Sequence, residues 1–437
     1  MKTFNIGLMG LGTIGGGVVK LLHENGELIA RRTGIKLRLR AVADRITERF
    51  KTLPLPADAI RSADAKEIAV HPEVDVVIEL MGGYEPARTF ALAALGAGKS
   101  VVTANKAMLA KHGAELFAAA EKSGAEVGFE ASVCGTIPII RVLRHSLAAN
   151  RVKEVIGILN GTCNYILTKM SEEGLDFGTA LKQAQAAGFA EADPTLDVQG
   201  EDAAHKLSIL ASLAFGIAAP RDRIHVEGIT RVAKEDIQYA REFGYVIKLL
   251  GIARETDGEV ELRVHPALIS TKHPLAMVRN EFNAVFVRCD AAKETMYYGR
   301  GAGEMPTASA VVADVIEIGQ ARGAGSPAAG TEKRPGLLAL FTGREKPIRA
   351  LEKTRSRYYL RFPAIEKPGV VGIITSILGQ KDVSIAAVHQ NPARAGSEPE
   401  VEILTHEANE GQIREAMAII EKNPVLRDKG MVLRVEE

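Results

Sequence analysis

Apolar residues along this chain recur with two different periods, and the period changes in an ordered way. The opening run "FNIGLMG" is apolar enough for a buried strand. It leads through a glycine-rich turn into "GGVVKLLHENGELIA", where the apolar positions fall at helical spacing. "KLRLRAVAD" then alternates as a strand does and ends at Asp44. "VDVVIELMGG" is nearly continuous in apolar residues, as expected for a strand covered on both faces. A helix over 86–97 leads to "KSVVTANK", and a second over 108–123 leads to "AEVGFEAS". Strand and helix alternation of this kind predicts a doubly wound parallel sheet, whose ligands sit beyond the carboxyl ends of the strands. Gly82, Thr103, Asn105 and Lys106 fall at such ends.

The turn reads GLGTIG, and its strand-before, helix-after context marks a dinucleotide-binding fingerprint. Gly10 permits the tight turn, Gly12 lets the backbone approach a pyrophosphate, and Gly15 lets the helix pack close to the strand. Thr13 and Ile14 open the helix, whose free amides and positive dipole end face the phosphates. Asp44 lies 29 residues after Gly15, somewhat beyond the usual ~20, where a carboxylate can take the ribose hydroxyls of NAD. Arg45 and Arg49 follow, and an arginine there can hold the 2′-phosphate of NADP, so the choice between NAD and NADP stays open.

Farther along, "VVTANKAMLA", "EASVCGTIPII", "ILNGTCNYIL" and "GFAEADPTLDVQGEDAAHKLSIL" occur in that order. With the opening turn they make residues 6–319 resemble homoserine dehydrogenase. The resemblance implies reversible, NAD(P)-linked interconversion of L-aspartate 4-semialdehyde and L-homoserine. It also implies a homodimer or homotetramer.

The residue types suit that chemistry independently. Reducing an aldehyde needs hydride at carbon and a proton or positive charge at oxygen. Holding a zwitterionic amino acid needs carboxylates for its ammonium. Glu191, Asp193 and Asp197 are expected in a loop broken by Pro194. Asp202 and Lys206 fall four apart on one face of the helix "EDAAHKLSILASLAF". That spacing alone would also suit an ordinary surface ion pair.

By the resemblance, Lys206 donates the proton, Glu191 and Asp202 hold the substrate with Asp197 beside them, and Lys106 lies near nicotinamide and substrate. The alternative exchanges the two lysines. Gly188 and Gly303 match positions near the dinucleotide. Glu130, Val133, Gly135 and Ile137 match a monovalent-cation site for sodium, in which three of the four would act through backbone carbonyls. The competing reading of Glu130 is a buried carboxylate satisfied by amides. Cys134 and Cys163 raise the reading of a thioester-forming aldehyde dehydrogenase, but no partner histidine or phosphate-binding motif accompanies either of them. The histidines show no HExxH spacing.

The C-terminal segment reads strand, helix, strand, strand, helix, strand, a ferredoxin-like order. Around the KPG turn at 367–369 it resembles an ACT domain, a small amino-acid-binding regulatory module, which implies L-threonine as effector. The expected division is a Rossmann NAD(P)-binding domain over 1–135, an α+β catalytic and dimerisation domain over 136–305, and a return helix over 306–342. A linker over 343–356 and a ferredoxin-like module over 357–437 follow. Truncation near Arg349 is expected to retain catalysis and lose any threonine inhibition, provided the module is not also needed for assembly.

Composition narrows the class. The 437 residues hold 55 basic and 54 acidic side chains, a formal charge of +1, which argues against a nucleic-acid-coating or membrane-surface protein. Three cysteines cannot build a disulfide framework, and the N-terminus shows no signal peptide. A soluble cytoplasmic enzyme is expected, with neither nucleic acid nor membrane as partner.

Overall fold

The computed structural model describes residues 2–323, 337–343, 346–390 and 400–436. The chain folds into two compact units. One comprises Met1–Val155, His205–Ile224 and Asn283–Lys346; the other comprises Ile156–Ala204, His225–Phe282 and Pro347–Glu437. The units therefore cross the divisions expected at 135/136 and 305/306, because the chain returns to each of them twice. Parts of the expected return helix and linker, 324–336 and 344–345, lie outside the described residues.

In the first unit, strands β1 (Lys2–Met9), β2 (Ile35–Ala43), β3 (Ile60–Ser62), β4 (Val76–Glu79), β5 (Ser100–Thr103) and β6 (Val127–Gly128) form one parallel sheet. Its order is β3-β2-β1-β4-β5-β6, the doubly wound pattern, with the direction of winding reversing between β1 and β4. β4 is buried at every position, as its unbroken apolar run required. Helix α1 (Thr13–Thr33) follows β1 directly and ends at Gly34, which takes the left-handed conformation at φ 78°. The helices expected at 86–97 and 108–123 are Ala87–Gly96 and Lys106–Ser123. Glu304–Gly323 returns to pack on α1, and Gly17 makes this possible: a Cβ there would stand 2.9 Å from the Glu304 carbonyl oxygen.

In the second unit, Tyr245–Thr256 and Glu259–Ser270 make a long antiparallel pair. The C-terminal strands Arg355–Pro363, Ile385–Gln390, Glu400–Thr405 and Met431–Glu436, with helices Val370–Gln380 and Glu410–Ile420, have the ferredoxin-like βαββαβ order. Among these four the last strand lies beside the first, and the third and second follow. Met431–Glu436 also pairs in parallel with Glu259–Ser270 through Ala267, Leu268 and Ile269, so the C-terminal module extends a sheet begun elsewhere in the unit.

Pro347–Arg349 is likewise no free linker. Val260 exchanges backbone hydrogen bonds with Pro347 and Arg349, and the Arg349 guanidinium reaches Glu259 at 3.1 Å.

This join is charged and buried. Arg263, 1% exposed, binds Glu436 at 2.6 Å and Glu261 at 3.1 Å. Arg434, 2% exposed, binds Glu410 at 2.5 Å and Glu227 at 2.9 Å. His265 accepts from Arg263 at 3.1 Å through Nε2 and donates from Nδ1 to the Pro266 carbonyl at 3.0 Å. Removing one member of such a set leaves an uncompensated buried charge, typically ~3–5 kcal/mol destabilising.

Burial, reinforced by Arg434 and Arg263, pushes the His265 pKa down to about 3 from 6.5. Between those values the unfolded chain binds a proton at His265 and the native chain does not, so stability falls as pH falls through the window. His265→Gln should therefore show a smaller loss of urea-unfolding free energy between pH 6.5 and 4.5 than the unsubstituted chain. An equal loss would assign the acid sensitivity to other groups.

Candidate active site

The β1–α1 turn presents an anion cradle whose three fingerprint glycines are needed for different reasons. Gly10 has φ 95°, and a Cβ on it would stand 2.6 Å from the Leu80 carbonyl oxygen. At Gly15 a Cβ would stand 1.9 Å from the Gly10 carbonyl oxygen. The chain itself requires glycine at both. Gly12 is different: its φ is −63°, and nothing lies within 4 Å of where its Cβ would be. The open space over Gly12, at the N-terminus of α1 where Thr13 and Ile14 begin the helix, suits a dinucleotide pyrophosphate.

Asp44 is built into this turn. One of its carboxylate oxygens accepts the Leu11 amide at 2.6 Å and an Arg49 N–H at 3.0 Å; the other accepts the Ile46 amide at 2.7 Å. Burial raises its pKa, but the amides of Ile46 and Leu11 and the Arg49 guanidinium outweigh it and hold the carboxyl below its ordinary value. Arg49 therefore makes the contact with Asp44, while Arg45 is exposed beside it.

At the end of β5, Thr103 is fully buried. Its hydroxyl donates to Glu79 at 2.6 Å and accepts the Asn105 amide at 3.0 Å, so the side chain is committed within the protein. Asn105 caps the next helix by accepting the Met108 amide at 3.1 Å. Lys106 is that helix's first residue, where the dipole disfavours a cation by ~0.3–1 kcal/mol. A lysine in this place calls for a reason beyond helix stability. Gly303, at φ 125°, precedes the helix that packs on α1, with Lys20 binding Glu304 at 2.7 Å.

The proposed cation positions behave otherwise. Both carboxylate oxygens of buried Glu130 accept main-chain amides, from Ile140 at 2.8 Å and Arg141 at 2.9 Å. The Ile137 carbonyl accepts the Ile139 amide at 2.7 Å. Val133 is extended, and Gly135 has φ 51° where a Cβ would meet the Gly301 carbonyl. Among the described residues no group of three His, Cys, Asp or Glu side chains could hold a metal. Each Glu130 carboxylate oxygen thus has a main-chain donor. Cys134 and Cys163 are both buried. The Cys163 thiol donates to the Asp197 carbonyl at 3.2 Å, a packing role rather than that of an exposed nucleophile.

The second unit gathers an acidic cluster around one amide. Asn160 caps the helix Gly161–Glu173, its oxygen accepting the Cys163 amide at 2.8 Å. Its NH₂ group donates to Asp197 at 2.7 Å and to Asp202 at 2.8 Å. The Thr162 hydroxyl donates to the Phe189 carbonyl at 2.6 Å and lies 3.2 Å from Asp197. Asp197 lies in the short helix Thr195–Val198 rather than in an open loop. Glu191 is exposed, and its backbone carbonyl accepts from Gln185 at 3.1 Å. Gly188, at φ 75°, follows the helix Phe177–Ala186 and is exposed, so chain reversal accounts for it.

The helix Glu201–Phe215 carries Asp202 in its first turn and Lys206 one turn later. Each is 8% exposed, which excludes a solvated surface ion pair. Asn160 and Thr162 were not singled out from sequence, although "NGT" before a helix is a capping signal that could have led to them.

Comparison with known proteins agrees with this architecture. Residues 138–316 match the family model described as homoserine dehydrogenase, and residues 10–130 match the one described as homoserine dehydrogenase, NAD binding domain. A homoserine dehydrogenase of Neisseria gonorrhoeae is 44% identical over 100% of this chain and 99% of its own length. The Bacillus subtilis relative is 37% identical over 100% of this chain and 99% of its own. The crystal structure of a homoserine dehydrogenase from Thiobacillus denitrificans superposes with a TM-score of 0.93 at 43% identity, covering 100% and 99% of the two chains. A hyperthermophilic archaeal homoserine dehydrogenase in complex with NADPH has a TM-score of 0.62 at 27% identity, covering 72% of this chain and 98% of its own.

The contrast among the glycines makes a test. Gly12→Val should leave thermal stability within about 2 °C of the parent yet weaken dinucleotide binding at least tenfold by fluorescence titration. Gly15→Val should lower stability itself. Unchanged dinucleotide affinity in folded Gly12→Val would remove the turn from the binding site.

Proposed function

Because the chain belongs to the homoserine dehydrogenase family, we propose that Lys206 is the proton donor in aldehyde reduction and that Glu191 and Asp202 hold the substrate ammonium. The enzyme is an NAD(P)-dependent oxidoreductase of amino-acid biosynthesis that interconverts L-aspartate 4-semialdehyde and L-homoserine. When bound, the nicotinamide supplies hydride to the aldehyde carbon, or accepts it from the alcohol carbon. As hydride arrives, negative charge develops on the substrate oxygen, and the Lys206 ammonium passes a proton to it. In oxidation the same amine, unprotonated, takes the hydroxyl proton.

The observation carrying this reading is the buried Asp202–Lys206 helix face, with Asp202 oriented by Asn160. A carboxylate so held offers a charge-assisted hydrogen bond to an ammonium. Asp197, sharing Asn160, keeps the cluster acidic. Lys106, at a helix start that disfavours it, is assigned to the nicotinamide side, with Gly10, Gly12, Thr13, Ile14, Gly15 and Gly303 around the dinucleotide. Gly188 and the side chain of Thr103 have sufficient structural reasons of their own.

The C-terminal βαββαβ unit is read as an ACT domain that binds L-threonine. Its strand order supports this reading. It is not a detachable piece, however: removing Met431–Glu436 would strip Arg263 of Glu436 and take away the parallel partner of Glu259–Ser270. Truncation near Arg349 should therefore destabilise the second unit, so the condition set on the expectation from sequence is not met, and binding must be measured on the full chain.

Lys206→Met should lower turnover by roughly 10²–10⁴ while leaving NAD(P) affinity unchanged. Steady-state homoserine oxidation with NAD and with NADP, beside a dinucleotide titration, checks this; near-parental turnover would transfer the role to Lys106. L-threonine titrated into the full-length enzyme should give saturable calorimetric binding and inhibit homoserine oxidation over the same concentration range. Absence of binding would leave the module an assembly role.

A further inference from the structure

The helix that presents Asn160 is held from its other contacts by a buried lysine. Lys248 lies in the strand Tyr245–Thr256 and is 5% exposed. Its ammonium donates to the Asn164 side-chain oxygen at 2.9 Å and to the Val278 carbonyl at 2.5 Å. Both acceptors are neutral, so the buried ammonium is held by dipoles rather than by a hydrogen-bonded carboxylate, a costly way to bury a charge. Burial accordingly draws the pKa down to about 8, with Glu172 opposing the shift and Arg279 adding to it.

Asn164 is fully used. Lysine can only donate and carbonyls can only accept, so the carboxamide has one orientation. Its oxygen faces Lys248, and its NH₂ faces the carbonyls of Val278 at 3.3 Å, Asn280 at 2.9 Å and Phe282 at 3.2 Å. The Asn164 amide donates to the Asn160 carbonyl at 3.2 Å, the first-turn bond of the same helix. One turn on, the Thr168 hydroxyl donates to the Asn164 carbonyl at 2.6 Å and accepts the Asn280 amide at 3.1 Å. The first two turns of Gly161–Glu173 are therefore clamped to the segment 278–282, and the N-cap of this helix, Asn160, aims its amide at Asp197 and Asp202.

We infer that Lys248 is a positioning residue of the substrate site, acting through Asn164 and the helix start to fix the Asn160 amide and with it the Asp202 carboxylate. The inference rests on the reading that Asp202 holds the substrate ammonium. Lys248 does not touch substrate or nicotinamide in this scheme. Its loss should be felt in homoserine binding, not in hydride or proton transfer.

The test is steady-state kinetics on full-length Lys248→Met, Asn164→Ala, their double variant and Asp202→Asn. Lys248→Met and Asn164→Ala should each raise the homoserine KM about tenfold, with kcat and the NAD(P) KM within twofold of the parent. The double variant should raise it no further than the larger single effect, because both substitutions break one path. A folded Lys248→Met enzyme with unchanged homoserine KM overturns the inference. So does a loss spread equally over kcat and NAD(P) KM, the mark of general loosening. Fully additive effects in the double variant overturn it as well.

If Lys248→Met does not accumulate as folded protein, Asn164→Ala decides alone, since it removes the acceptor and leaves the Val278 contact: a rise confined to the homoserine KM supports the path and an unchanged KM refutes it. Asp202→Asn separates the two levels. An unchanged homoserine KM in that variant refutes the reading of Asp202, whereas a raised KM there beside an unaffected Lys248→Met refutes only the role of Lys248.

Discussion

Two carboxylates can face one small volume only if donors between them offset their repulsion. Here one primary amide donates to each: one Asn160 N–H goes to Asp197 and the other to Asp202. The remaining Asn160 oxygen caps its own helix, so the side chain has no freedom left to drift. This arrangement orients Asp202 one helical turn from Lys206. Removing the amide would take away a donor that half-buried Asp197 and buried Asp202 share.

A comparable economy governs the nucleotide turn. Asp44 stands where a ribose-binding carboxylate is expected, yet its strongest contacts are to the chain's own amides at Leu11 and Ile46. It organises the glycine-rich turn first, and whatever it offers a ribose comes from the remaining lone pairs. The Arg49 guanidinium against it reduces local negative charge. Asp44 and Arg49 thus stand at the end of β2 as a pair rather than as a lone carboxylate or a lone arginine.

The C-terminal module is attached by the opposite kind of chemistry from a flexible tether. Arg263 and Arg434 are almost wholly buried, and their partners come from both sides of the join: Glu261 and Glu227 from the earlier segment, Glu436 and Glu410 from the later one. Arg434 lies on the later side and Arg263 on the earlier, so the charges interlock. Buried ionic sets of this kind are weak sources of net stability but intolerant of a missing partner. Any ligand that shifts the module must act through a sheet shared with Glu259–Ser270.

Sequence by itself determined the features that depend on short-range pattern. The β1–α1 phosphate turn, the parallel sheet, the βαββαβ order of the C-terminal segment and the Asp202–Lys206 spacing all follow from periods of two, of 3.6 and from glycine placement. The strings around Lys106, Asn160 and Lys206 were specific enough for the family. Tertiary structure alone decided what joins distant positions. Leu11 meets Asp44 across 33 residues, Asn160 meets Asp202 across 42, Lys248 meets Asn164 across 84, and Arg263 meets Glu436 across 173. No local period encodes such pairings, because each forms only where the packed backbone has already brought two segments together. For the same reason the linker expected at 343–356 had no sequence mark of its pairing with Val260, and Glu130 no mark of the two amides that satisfy it. A charged side chain reads alike in a sequence whether it will face water, a ligand or another buried charge; the neighbours that distinguish these outcomes arrive only on folding.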